Sequence, residues 1–144
     1  MAVVSLTQRR GARTTDSTRK LSAGLWIGQG LLALLFLASG LFKLTAPSDM
    51  LAAQVPLPEL LMRFLGLAET LGAVGLILPG VLRIRPGLTP LAASGLVIIM
   101  VGAAVLTPTL LGMDVIMALP NVVIGAVAAA IAYGRWRLAP LPTR

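Results

Sequence analysis

Four long apolar stretches separated by short polar links organise this chain: 21–44, 60–81, 88–106 and 115–133. Each runs to about 20 residues, the length at which a helix spans the hydrocarbon core of a bilayer. The pattern predicts four transmembrane helices. Short links force consecutive spans to run up and down beside one another. The expected architecture is therefore all-α, an integral membrane antiparallel four-helix bundle. Ala46-Pro47-Ser48-Asp49 carries a turn signal that stops the first helix. Val55-Pro56-Leu57-Pro58 is stiff and is expected along the outer interface, and Arg85-Pro86-Gly87 makes a tight inner turn.

Composition narrows the class. The 144 residues are 57% hydrophobic and 12% charged, too apolar for a water-soluble chain of this length. The four spans, within residues 21–137, leave no room for a separate globular domain, only a tail at 1–20 and another at 138–144. Cysteine and histidine are absent, which removes thiol redox chemistry, disulfides, the usual haem and iron–sulfur ligands and most zinc sites. No metal site and no covalently bound cofactor is expected. The net charge of +7 sits beside the spans, so membrane topology accounts for it and nucleic acid is not an expected partner.

Charge also gives an orientation. Residues 1–20 hold Arg9, Arg10, Arg13, Arg19 and Lys20 among Ser and Thr, and read as a flexible basic cytoplasmic tail. A cleaved signal peptide is the lesser alternative: the apolar run is too long and ends in Lys43. The second link adds Arg83 and Arg85, and the C-terminal end adds Arg135, Arg137 and Arg144. The first and third links carry only Asp49, Glu59 and Asp114. Ten of the twelve basic residues thus lie on one side, which the positive-inside rule makes cytoplasmic, with both termini there. Trp26, Tyr133 and Trp136 fall near the inner edge, although Trp26 equally suits packing.

Lipid does not drive apolar helices together, so close approach rests on small residues. Gly24 and Gly28 lie four apart on the first span; Gly66, Glu69, Gly72 and Ala73 form one stripe on the second. Gly95 and Gly102 mark the third span, and Asn121, Gly125, Ala128 and Ala132 the fourth. Tight packing is the simplest reading of each glycine.

Three ionisable residues lie within spans: Lys43, Arg63 and Glu69. Each costs about 2.5–3.5 kcal/mol at mid-helix on insertion scales, so each needs a reason. Glu69 is about ten residues into its helix, ~15 Å from the outer end and near the membrane centre. Its small neighbours turn it toward other helices, where it finds a cation or stays protonated. Lys43 shares a face with Ser39 and Gly40, and either snorkels outward or reaches Glu69. Arg63 is rotated away from Glu69 and is expected to snorkel or to bind an acid of the outer links, such as Asp49 or Asp114. Asn121 enters at a comparable depth, just after Pro120. Lys43, Arg63, Glu69, Asn121 and Ser39 thus gather in the outer half, while the inner half offers little beyond Gln29 and Ser94. A Lys43–Glu69 ion pair that, with Asn121, locks the bundle is the simplest account. A pocket for a polar head, such as a quinone ring or a lipid headgroup, is the functional one. Proton or ion transfer, as in a small proton-coupled transporter or channel, is a third.

Phe36-Leu37-Ala38-Ser39-Gly40-Leu41-Phe42-Lys43-Leu44 resembles the first-helix signature of the DoxX-like family, and Gly66-Leu67-Ala68-Glu69-Thr70-Leu71-Gly72 its second-helix Gly-x-x-Glu segment. Gly102-Ala103, Leu119-Pro120 and Gly134-Arg135 fall in the family's order, so the resemblance covers about 24–137. It implies a multi-pass protein of the bacterial inner membrane, with relatives linked to quinone-dependent oxidation of sulfur compounds or to complexes handling oxidative stress. Carried over residue by residue, it marks Lys43 and Glu69, with Gly40, Gly66 and Gly72 as packing partners. Many relatives place a His after the third helix where this chain has Leu106-Thr107-Pro108-Thr109, which puts any role needing that His in doubt. The expected function is a quinone- or lipid-facing subunit of a membrane oxidoreductase complex, not self-sufficient as an enzyme, with partner subunits or a second copy beside it. A structural or assembly subunit is the alternative that needs no ligand.

Overall fold

The computed structural model describes the backbone of residues 2–85, 87–109 and 111–141, with side chains from residue 16 onward. Five α-helices appear among the described residues, and no strand: α1 (Ala2–Thr45), α2 (Ser48–Gln54), α3 (Glu59–Leu82), α4 (Leu88–Thr109) and α5 (Leu119–Tyr133). A 3-10 turn, Val115–Ala118, leads into α5, and a π-helical turn, Gly134–Leu138, leaves it. Four segments are long and apolar enough to cross a membrane: Asp16–Thr45, Glu59–Leu82, Leu88–Thr109 and Val115–Leu138. Every bound lies within five residues of the stretch read from sequence, the widest gaps being 16 against 21 and 138 against 133.

Two elements depart from the composition. Residues 2–20 continue α1, so position 20 marks a change of composition and not of backbone. No proline falls between Ala2 and Ala46 to interrupt the helix, and Arg, Lys, Leu and Ala are good helix formers. The first link also holds a short helix, α2, whose Leu51 is buried against Ala46 and Met62. Its seven residues, Ser48–Gln54, are too few to signal a helix.

All four spans contribute to one apolar core. Leu32 and Phe36 of α1, Leu76 of α3, Leu96 and Met100 of α4, and Ala128 and Ile131 of α5 are among its buried members. The opposite faces expose Leu31, Phe64, Ile98 and Val123, a pattern that suits hydrocarbon as solvent and not water.

Two helices meet backbone to backbone where glycines face each other. A Cβ on Gly40 would lie 2.7 Å from the Gly66 carbonyl oxygen, and a Cβ on Gly66 would lie 2.9 Å from that of Gly40, so α1 and α3 touch backbone to backbone. Gly72 accommodates Leu96 of α4, and Gly125 approaches Met100. Gly24, Gly95 and Gly102, expected at contacts, instead face open space. Four-residue spacing of glycine arises readily in spans rich in Gly and Ala, so spacing alone does not assign a contact face.

The turn after α3 is strained. Arg83 takes a left-handed conformation (φ 55°) and its N–H bonds the Pro79 carbonyl, and Arg85 also has positive φ (39°). Glycine normally fills such positions.

Candidate functional site

The links holding Asp49, Glu59 and Asp114 define an acidic end of the spans; those holding Arg83, Arg85, Arg135 and Arg137 define a basic end. At the acidic end, Lys43 turns inward. Its Nζ donates to Glu69 Oε2 at 2.8 Å and to Ser39 Oγ at 2.6 Å. Ser39 Oγ donates in turn to the same Oε2 at 2.9 Å. The Lys43 side chain is 18% exposed and that of Glu69 5%. Ser39 and Lys43 stand one turn apart on α1, which is why both reach one carboxylate oxygen. Glycines 40 and 66 bring the helices close enough for that reach. The pair is neutral overall, so it avoids the cost of a lone buried charge.

The triad leaves hydrogen-bonding capacity uncommitted. Among the described residues nothing bonds Glu69 Oε1, and the third N–H of Lys43 has no acceptor. Glu69 thus retains an acceptor and Lys43 a donor. They suit a small polar group that both gives and takes a hydrogen bond.

Arg63 closes the upper edge. Its Nη1 donates to the Lys43 carbonyl at 2.8 Å, and its Nε and Nη2 meet Glu59 Oε1 at 3.3 and 3.0 Å. The carbonyl needs this donor because its helical partner would be the N–H of residue 47, which is proline. The acid that Arg63 finds is therefore Glu59, one turn before it, and not Asp49 or Asp114. Asp114 instead caps the 3-10 turn, accepting from the Ile116 N–H. Asn121 is half-buried in the first turn of α5 and, among the described residues, makes no hydrogen bond to Lys43, Glu69 or Ser39. Of the five residues singled out in the sequence, three bond directly to one another, Arg63 adjoins them through the main chain, and Asn121 stands apart.

A second polar cluster lies at the basic end, where sequence reasoning expected little. Arg135 is buried, 2% exposed. Its Nε donates to Gln29 Oε1 at 2.6 Å and its Nη1 to Ser22 Oγ at 3.1 Å and the Ala139 carbonyl at 3.2 Å. The guanidinium lies 5.3 Å from the centre of the Trp26 ring. Gln29 passes the connection on, donating from Nε2 to the Leu76 carbonyl at 2.6 Å. The first, second and last spans are thereby joined by one chain of polar contacts. The sequence counts Arg135 as one more flanking positive charge; Gln29, a lone amide on an apolar face, is the residue that points to a buried polar partner. Ala139 and Leu141, assigned to a tail, pack back and are buried, with Leu141 beside Trp26 at Gly80. Tyr133 and Trp136 are exposed, as rings at a membrane edge are.

Four apolar spans, a lipid-compatible exterior and charged groups that are paired or hydrogen-bonded inside define a multi-pass membrane protein. The family model described as the DoxX-like family matches residues 27–134, about three quarters of the chain, and the chain belongs to that family. The match includes Ser39, Gly40, Lys43, Gly66 and Glu69 and stops one residue short of Arg135. No curated relative and no solved structure matches the chain significantly.

Proposed function

We propose that this DoxX-like protein is the quinone- or lipid-facing membrane subunit of an oxidoreductase assembly, with the Ser39–Lys43–Glu69 triad as its polar-head site. In this reading the spans form an antiparallel four-helix bundle in a bacterial inner membrane. Both termini face the cytoplasm, and the acidic end faces the periplasm. The one-sided distribution of basic residues supports that orientation. The observation that carries the functional reading is the uncommitted pair of valences on a buried, neutral ion pair. Membrane ionisable groups are retained at a cost, and a clasp alone does not require that a donor and an acceptor be left over.

Having neither His nor Cys, the chain lacks the usual haem and iron–sulfur ligands, and in this reading electrons come from a partner subunit or from the quinone. The test is gentle purification of the full chain, followed by mass spectrometry of co-purifying quinones, lipids and proteins. Retention of a quinone or a defined lipid together with an oxidoreductase subunit is expected. A preparation that holds neither, and that neither reduces nor oxidises added quinone in membranes, contradicts the proposal.

One observation favours a second reading. The triad lies within a turn of the Gly40–Gly66 crossing, where an ion pair would also fix the register of α1 on α3. Under that reading the protein is a structural or assembly subunit, and apolar replacement of the pair is harmless to function.

A further inference from the structure

Arg135 is a buried cation without a matching anion. The chain has five acidic side chains, and among the described residues none is paired with it. Asp16 binds Lys20, Glu59 binds Arg63 and Glu69 binds Lys43, while Asp49 and Asp114 belong to the links of the acidic end. The acceptors of Arg135 are all neutral: Gln29 Oε1, Ser22 Oγ, the Ala139 carbonyl and, at 3.4 Å, the Ser22 carbonyl. Neutral acceptors satisfy N–H groups but do not cancel a charge, and a charge held at the edge of hydrocarbon draws an ion of opposite sign.

Ser22 connects that charge to the surface. It is half-buried, its Oγ accepts from Arg135 Nη1 at 3.1 Å, and among the described residues its own O–H has no acceptor. A hydroxyl that accepts from a cation is polarised toward donating. Arg19, Ser22 and Trp26 follow one another on α1 at i, i+3 and i+7, so they share a face. Arg19 is exposed and, among the described residues, makes no ion pair, since Asp16 engages Lys20. Trp26 is half-buried, with the Arg135 guanidinium over its ring. The face lies where the apolar stretch begins at Leu21, the depth of phospholipid headgroups, and the exposed rings of Tyr133 and Trp136 mark the same level.

We propose that Arg19 and Ser22, backed by the buried Arg135, form a site for a phosphate oxyanion, filled by the phosphodiester of an anionic phospholipid. The phosphate stays outside the buried cluster. It accepts from the Ser22 hydroxyl and the Arg19 guanidinium, and its charge offsets that of Arg135 behind Ser22. The nearest acid in sequence, Asp16, is bound to Lys20 and rotated about 120° from Ser22 around the helix. A net negative headgroup is selected over a zwitterionic one, because the choline of the latter would meet only cations here. Soluble phosphate offers the same oxyanion, but the depth of the site favours the lipid. The site lies at the opposite end of the spans from Lys43 and Glu69 and does not depend on the reading given to that pair.

The test uses full-length protein in nanodiscs of equal parts phosphatidylglycerol and phosphatidylcholine, with retained lipid counted by native mass spectrometry. A second sample holds phosphatidylcholine alone with added inorganic phosphate. Wild type is expected to retain phosphatidylglycerol in preference to phosphatidylcholine. Arg19→Gln, an exposed change that leaves the fold intact, is expected to lower that ratio about fivefold, the share of one basic residue at a membrane surface. Ser22→Ala is expected to lower it as well, and Ser22→Thr, which keeps the hydroxyl, to preserve it. Arg83→Gln removes a basic residue of the same end on another link and is expected to leave the ratio unchanged. Inorganic phosphate bound by wild type and lost in Arg19→Gln, without a lipid preference, keeps the site and assigns it to a soluble phosphate. Absence of both the lipid preference and bound phosphate in wild type overturns the site. So does a ratio that survives Arg19→Gln and Ser22→Ala, or one that Arg83→Gln lowers as much as Arg19→Gln, which would be diffuse attraction to the basic end.

Discussion

Gly40 and Gly66 face each other so closely that each carbonyl oxygen occupies the space the other residue's Cβ would need, 2.9 and 2.7 Å away. Gly40→Ala therefore drives its methyl group into the Thr70 hydroxyl, the Gly66 carbonyl and the Thr70 main-chain nitrogen, and only the first of these can rotate away. A loss of about 2 kcal/mol or more is expected, as for overpacked cores. Gly24→Ala, whose Cβ meets open space, is expected to be neutral or slightly stabilising through helix propensity. Unfolding of both variants in mixed micelles by denaturing detergent checks the contrast.

Lys43 and Glu69 are predicted to be strongly coupled. Lys43→Met alone strands a carboxylate that is 5% exposed, and breaking such a pair costs about 3–5 kcal/mol. Adding Glu69→Leu removes the stranded charge and is expected to restore most of that loss. A double-mutant cycle on the same unfolding assay measures the coupling, and additive losses would show that the contact is incidental.

Arg135 is expected to depend on its shape as well as its charge. Arg135→Lys keeps a cation but cannot serve Gln29, Ser22 and Ala139 together. A loss of about 1–3 kcal/mol is expected, in the range of hydrogen bonds to charged groups. Gln29→Leu is expected to destabilise comparably or more, because it leaves the guanidinium Nε buried without an acceptor. Hydrogen exchange of residues 134–141 is expected to rise in both variants. Unchanged protection would show that the cluster does not hold that segment.

The sequence carried the architecture further than the chemistry. Hydropathy alone located the spans, because each is long enough for its apolar length to outweigh local detail. The Lys43–Glu69 contact is one of two placements that the sequence leaves open for Lys43, and i, i+4 spacing puts Ser39 on the same face of α1; the bond from Ser39 to Glu69 appears only in the fold. Arg63 was harder. Its partner carbonyl is exposed by Pro47, a main-chain effect that side-chain patterning does not show. Arg135 was hidden by a rule that holds for its neighbours. Flanking positive charges ordinarily face water, and only the three-dimensional proximity of Gln29 and Trp26 turns this one inward. Among the glycines, Gly40, Gly66 and Gly72 sit at contacts and Gly24, Gly95 and Gly102 do not, a distinction that residue spacing cannot make.

Arg83 offers a test of the orientation. Its left-handed backbone costs roughly 1 kcal/mol in any residue other than glycine, so Arg83→Gly is expected to raise stability by about that amount. The same change removes one of the two basic residues of its link, so insertion is expected to become less uniform. Topology reporters fused at the C-terminus measure this. A stabilised variant with wholly unchanged orientation would mean that the arginine there does not help set the topology.

Lys43→Met/Glu69→Leu is the variant that separates a ligand site from a clasp, since it is expected to fold with near-normal stability. The decisive measurement is the quinone and lipid content of this double variant, purified side by side with wild type from the same membranes. The bound quinone or defined lipid is predicted to disappear while the helical content and unfolding profile persist. Equal retention by the two proteins would contradict a polar-head site at Lys43 and Glu69.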